Sequence, residues 1–332
     1  MPSFRTATVS EILAERPGLQ RVGTDAGRAY VLTGLVGPVA VGDPVVLNTT
    51  AVDLGLGTGG WHVVHWNLAR DAWSQPGPGH VMKMRYTSLQ ADTGAAEEDH
   101  PDLPAELGGL PVVACSLHSQ VAVVAAVVRH LRPAATIAYV MTDGAALPLA
   151  LSDLIVALRE RTVLDVTVTA GHAFGGDVEA VSVPSAMALA RHVADADVAI
   201  VGMGPGVVGT GSALGTTSVE VAAVLDAAEA LGGRPALCVR ASAADGRARH
   251  RGVSHHVRTA LSLVRGSPVV PLPASLVAEL PGATAVEGPD VPALLEALGL
   301  RVTSMGRGPA EDPLFYAAAG AAGAWAASLL PT

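Results

Sequence analysis

Hydrophobic and polar positions change rhythm about a third of the way along the chain. Up to about residue 88, short β-rich runs at 19–24, 29–33, 45–48 and 61–66 are separated by turn signals at Asp25-Ala26-Gly27, Gly37-Pro38 and Gly42-Asp43. This pattern predicts a small β-rich, barrel-like domain over residues 1–90. Residues 91–109 contain Glu97-Glu98-Asp99, several Pro and Gly interruptions and little periodicity, the composition of a linker or mobile loop.

Beyond residue 109 an apolar run, a loop and an amphipathic stretch repeat. The run 111–115 is followed by Val121, Val124, Ala125 and Val128, whose spacing lines one face of a helix. Runs at 136–141, 164–169, 198–202 and 236–240 each precede a further helical stretch. These stretches carry Leu151, Leu154, Ile155 and Leu158; a start near Pro184; Val221, Val224, Leu225 and Ala228; and residues 257–264. Five such units predict an α/β fold over residues 110–332, a mostly parallel, Rossmann-like doubly wound sheet covered on both faces. An edge strand at 268–272 and a cover helix bearing Val291, Leu294, Leu295 and Leu298 complete it.

Parallel strands send their outgoing loops to one edge, where such sheets bind ligands. The returning connections, such as Leu131-Arg132-Pro133 and Gly232-Gly233-Arg234, are plain, whereas the outgoing ones are rich in chemistry. His118, Asp143, His172, Asp177, His250 and His255 are the candidate acid, base or orienting groups, because imidazole and carboxylate exchange protons near neutral pH. The fourth outgoing loop carries Gly-x-Gly-x-x-Gly at Gly204, Gly206 and Gly209, followed by Thr210, Gly211 and Ser212. Glycines there let backbone N–H groups crowd an anion, and Arg240 and Arg249 offer planar forks for phosphate or carboxylate. The expected ligand is therefore a small anionic molecule, with a nucleotide or other phosphate-bearing group as the candidate cofactor. A nicotinamide dinucleotide fits less well, because the motif falls in the fourth unit, contains Pro205 and is followed by Arg240-Ala241-Ser242 rather than an acid.

Composition narrows the choice. A formal charge of −9 disfavours a nucleic-acid partner, since nonspecific binding to phosphate backbones is electrostatic. Lys83 is the single lysine, so a Walker-type loop is excluded. Aromatic residues make up only 3%, which leaves Val, Leu, Ala and Ile to build the interior. Cys115 and Cys238 end apolar runs and are expected as core thiols. The N-terminus lacks a signal-peptide pattern and the alanine-rich stretch 314–330 is short for a bilayer, so a cytoplasmic protein with no membrane partner and a buried terminal helix is expected. No Gly-x-Ser-x-Gly, His-Glu-x-x-His, Cys-x-x-Cys or EF-hand pattern occurs, so neither nucleophile nor metal is assigned.

Gly27-Arg28-Ala29-Tyr30, the run from Leu47-Asn48-Thr49-Thr50 through Gly57-Thr58-Gly59-Gly60, residues 80–90, the glycine loop 204–211, and Arg249-His250 with Ser254-His255-His256 together resemble the bacterial family called domain of unknown function 3866. The resemblance spans nearly the whole length and implies a complete member, without implying an activity. Three readings stay open. The first is a small-molecule enzyme or binding protein for an anionic ligand, as a homodimer. The second is a non-catalytic homo-oligomeric assembly protein built on the helix at 317–327. The third is a metal-dependent hydrolase drawing ligands from His118, Asp143, His172, Asp177, Glu179, His250, His255 and His256.

Overall fold

A computed structural model describes residues 2–331, and the chain divides into two compact units, Met1–Gly94 and Ala95–Thr332. The first is a closed five-stranded barrel in the order β1-β2-β3-β5-β4, with β1 Phe4–Arg16, β2 Leu19–Thr24, β3 Gly27–Val31, β4 Pro44–Asn48 and β5 Trp61–Asn67. Ala7, Val9, Val22, Ala29, Val31, Val45, Leu47 and Val64 fill it. Small aliphatic side chains suit so narrow a barrel.

β1 was not expected from the sequence. Its inward Ala7 and Val9 give way to Glu11-Ile12-Leu13-Ala14-Glu15-Arg16, whose residues favour a helix. Pairing overrides that preference: residues 4–8 bond β4 and residues 9–16 bond β2, so this one long strand closes the barrel. Register shifts between Val9 and Glu11 and between Ile12 and Ala14 supply the bend. Two short helices, α1 Thr33–Val36 and α2 Thr50–Asp53, and the strand pair β6 Met82–Lys83 with β7 Ala91–Asp92 complete the unit. Lys83 is buried.

The second unit holds a parallel six-stranded sheet in the order β11-β10-β9-β12-β8-β13. Its strands are β8 Pro111–Cys115, β9 Ile137–Thr142, β10 Val166–Thr169, β11 Val178–Glu179, β12 Val198–Met203 and β13 Arg234–Cys238. The helices between them are α3 His118–Leu131, α4 Asp153–Glu160, α5 Val183–His192, α6 Val221–Ala230 and α7 His255–Leu263. The expected alternation is thus present within a few residues at each boundary. The sixth strand, β11, was hidden inside the expected loop after β10.

Alternating strand residues feed two cores. Val113, Cys115, Ile137, Tyr139, Met141 and Ile200 pack with α3 and α4, while Val112, Ala114, Ala138, Val140, Ala199 and Val201 pack with α5, α6 and α7. Both cysteines are buried, as expected of core thiols. Past α7, β14 Ala241–Ser242 pairs with β15 Gly252–Val253, and β16 Pro271–Leu272 pairs with β17 Thr284–Ala285. The expected edge at 268–272 joins the sheet through a single bridge from Val269 to Ala236. After α8 Ala274–Val277 and α9 Val291–Ala297, the chain ends in α10 Pro313–Ser328.

α10 is buried along most of its length and packs on α3. A Cβ at Gly323 would lie 2.8 Å from Val127 Cβ and 2.9 Å from the Val124 carbonyl, so glycine is what lets the two helices approach. Among the described residues no helix is long and apolar enough to cross a membrane. Residues 95–109 are tied into this unit. Glu97 accepts from Val181 N and Ser185 Oγ, and buried Leu107 donates its N–H to the Leu231 carbonyl.

Candidate functional site

Because the six strands share one direction, His118, Asp143, His172, Gly204 and Arg240 all follow strand ends on the carboxyl edge of the sheet. Strand spacing of about 4.8 Å separates the loop after β10 from the loop after β13 by roughly 20 Å, so the candidates form separate groups along that edge.

At the β10 side, Asp177 pairs with Arg159 at 3.1 Å and accepts from Thr167 N at 2.8 Å and Thr167 Oγ1 at 2.9 Å, pinning the edge strand β11. Glu179 accepts from Thr169 Oγ1 and from Gly175 N, closing the same loop. Asp143 accepts from His172 N at 3.0 Å, so its carboxylate meets the backbone of His172. Neighbouring Thr142 donates to Glu220 Oε1 at 2.6 Å. Burial pushes the Glu220 carboxyl up to about 6, the Thr142 bond opposes this, and nearby Asp143 adds to it.

In the middle, His118 opens α3, and its two ring nitrogens face Ser152 Oγ at 2.7 Å and the Met203 carbonyl at 3.2 Å. Ser152 also accepts from Ile155 N as the cap of α4. Tyr139 donates its hydroxyl to the Gly202 and Met203 carbonyls. Burial holds His118 down to about 4, against a smaller opposing pull from the Met203 carbonyl. Both nitrogens are engaged and Ser152 is buried. This pair clasps three loops together rather than presenting an open nucleophile.

The glycine loop leaves β12 beside this clasp. A Cβ on Gly204 would lie 2.6 Å from the Ala146 carbonyl, and the Ala146 N–H donates to the Pro205 carbonyl, so the loop can start here only with glycine. Gly206 adopts φ +103°. The loop then folds back on itself through a bridge between Gly209 and Thr216, with Thr210 N donating to the Gly215 carbonyl at 2.7 Å. Thr210 and Ser212 bond each other's hydroxyls at 2.9 Å, and Gly211 lies in open space. At its base a Cβ on Gly209 would sit 3.2 Å from His256 Cε1. The loop from β12 therefore reaches the segment that follows β13.

That segment contains the densest chemistry. Buried Asp245 accepts from Arg240 at 3.2 Å and from Arg247 at 2.9 Å, with Arg307 at 3.5 Å, and Arg247 first, then Arg240, hold its carboxyl far below the usual range against the effect of burial. Arg307 also donates to Asp312, which accepts from Ser242. Arg249 is exposed. Over this network lie His250, His255 and His256, with ring centroids 5.0, 4.8 and 4.2 Å apart in the pairs 250/255, 250/256 and 255/256. His250 and His256 are buried and His255 is half-buried. Burial, followed by the surrounding charges, chiefly arginine, pushes His250 down to about 3 and His256 to about 4, and lowers His255 too.

Each of the three imidazoles is therefore biased towards its uncharged form. His250 Nδ1 meets Ser254 Oγ at 2.8 Å, which leaves its Nε2 without a partner. His255 Nε2 and both ring nitrogens of His256 are also buried without one. The sequence placed His250, His255, Arg240 and Arg249 in one segment, and the structure gathers them with Gly209. It leaves Asp177 and His172 apart, and it adds Ser152, Tyr139, Glu220 and Asp312, which no motif flagged.

The family described as protein of unknown function (DUF3866) matches residues 28–323, and the chain belongs to it. No curated protein and no solved structure matches the chain.

Proposed function

We propose that this DUF3866 protein holds an anionic small molecule, a phosphate, nucleotide or carboxylate, at the carboxyl edge of its sheet, as an enzyme or a binding protein. One observation carries the reading: the glycine loop after β12 reaches His256, joining the loop to the arginine and histidine segment after β13. Arg240, Arg247 and Arg307 face only Asp245 and Asp312 among the acids bonded in that network, and exposed Arg249 adds its charge near His255 and His256, so positive potential exceeds negative where the imidazoles lie. A desolvated anion gains most from such a field.

The winding supports the same place. In a Rossmann-like, doubly wound reading, ligands enter where neighbouring strands send their crossovers to opposite faces. Here β12 leads into α6 in one core, while its neighbours β9 and β8 lead into α4 and α3 in the other. The glycine loop leaves β12 at this switch, starting at Gly204, and its Gly209 lies beside His256.

Thermal unfolding with phosphate, adenosine monophosphate and citrate tests the proposal. A ligand at 100 times its Kd adds about 2.7 kcal/mol of stability, several degrees in Tm. The exposed Arg249→Ala variant should keep the native Tm and weaken the ligand shift. Absence of any shift with all three probes, or an unchanged shift in Arg249→Ala and Gly209→Val, overturns it.

A further inference from the structure

We propose that His250, His255 and His256 form a three-histidine site for a divalent transition metal of the zinc class. One ligand atom from each residue lies within 4.8 Å of the others. Four of their six ring nitrogens are buried with no hydrogen-bond partner. Orphaned nitrogens of this kind carry a desolvation cost that ordinary packing does not return, and three neighbours sharing it in one spot point to a common ligand.

The chemistry of the donors selects the metal. Imidazole nitrogen suits zinc, copper, nickel and iron, whereas magnesium and calcium require oxygen. Asp245, the carboxylate at the centre of the network, is engaged by three arginines and contributes no donor. His250 has the arrangement common to metal-bound histidines, with its far nitrogen fixed by a hydrogen bond to Ser254 while Nε2 stays open. Metal–nitrogen bonds of about 2.0–2.1 Å require the rings to draw closer by roughly an ångström, and half-buried His255 has room to supply most of that movement.

Three protein donors leave a fourth position open, as in catalytic rather than structural zinc sites. The surrounding arginines oppose a bare dication and favour one whose fourth ligand is an anion. Only that last point rests on the anion reading above; the three-histidine site stands without it.

The test uses the full chain, purified without a tag, stripped with chelator and titrated with zinc, cobalt and magnesium. Expected are one equivalent of zinc per chain by elemental analysis, no magnesium uptake, and visible ligand-field bands when cobalt is bound. His255→Ala and His256→Ala should each weaken zinc at least 100-fold, and Ser254→Ala about 10–100-fold. His130→Ala, on an exposed position of α3, should bind as the native chain does. A natively folded protein that takes up less than a tenth of an equivalent of zinc or cobalt overturns the proposal, as does native affinity in the histidine variants. If His256→Ala does not fold, His255→Gln decides. Phosphate binding to the stripped protein is measured separately: its loss with zinc retained sinks only the anion reading, and zinc lost with phosphate retained sinks only the metal site.

Discussion

One tautomer of His118 engages both ring nitrogens, beside a Tyr139 hydroxyl 3.3 Å from Nδ1. Nδ1–H donates to the Met203 carbonyl, and Nε2 accepts from the Ser152 hydroxyl. Burial disfavours a second proton on this ring and holds the imidazole down to about 4 from its ordinary 6.5. The native state gains its full advantage above pH 6.5, where the unfolded imidazole is also neutral, and loses it as pH falls through 4. Urea unfolding of the native chain and His118→Gln should therefore converge by roughly 2–3 kcal/mol between pH 7 and pH 4. A pH-independent difference would mean that the clasp does not control this proton. Glu220 has the opposite sign. Its carboxyl is raised to about 6, so its stabilising share is complete below the ordinary 4.5 and is lost as pH rises through 6. Glu220→Gln should gain about 1–2 kcal/mol on the native chain between pH 5 and pH 7.5, read by the same denaturation series. Neither partner was legible in the sequence. His118 stood out on an outgoing loop, but Ser152 lies 34 residues on, and Glu220 lies 78 residues past Thr142. Strand order, not local pattern, makes them neighbours.

Elements whose pattern agrees with their packing were read closely from the sequence. α3 carries Val121, Val124, Ala125 and Val128 at the expected spacing, within a stretch buried on every side from Gln120 to Val128, and β9 and β12 are largely apolar runs because both sheet faces are covered. β1 escaped notice because barrel closure outweighs its helix-favouring residues, and two-residue β11 escaped because Asp177 and Glu179, not hydrophobic alternation, anchor it. The same contrast governs glycine. Gly204→Ala puts a methyl group against the Ala146 carbonyl and Gly323→Ala puts one against Val127, both in packed surroundings. Each should cost about 1–3 kcal/mol by chemical denaturation. Gly211→Ala, with nothing near its Cβ, should change stability by less than about 0.5 kcal/mol. Equal costs at all three positions would mean that the close approaches at β12 and α10 do not constrain the fold.

Across the whole molecule, apolar burial is divided between units. The barrel core draws on residues from Ala7 to Leu89, and the two cores flanking the sheet draw only on residues beyond 95. α10 belongs to the latter: its Phe315, Tyr316, Ala319, Ala322, Ala326 and Trp325 are buried within its own chain, so that helix does not offer the broad apolar face an assembly role would need. Every group placed at the carboxyl edge, from His118 to Arg307, lies in the second unit. A chain of residues 95–332 alone therefore has the complete sheet, both of its cores, the glycine loop and the three histidines. It should unfold in one cooperative step and keep the zinc stoichiometry and anion response of the full protein within about twofold. Calorimetry with metal titration on both chains decides the matter. A molten fragment would mean that the second unit does not fold independently, and one that folds but binds neither zinc nor phosphate while the full chain binds both would defeat the assignment of function to the sheet edge alone.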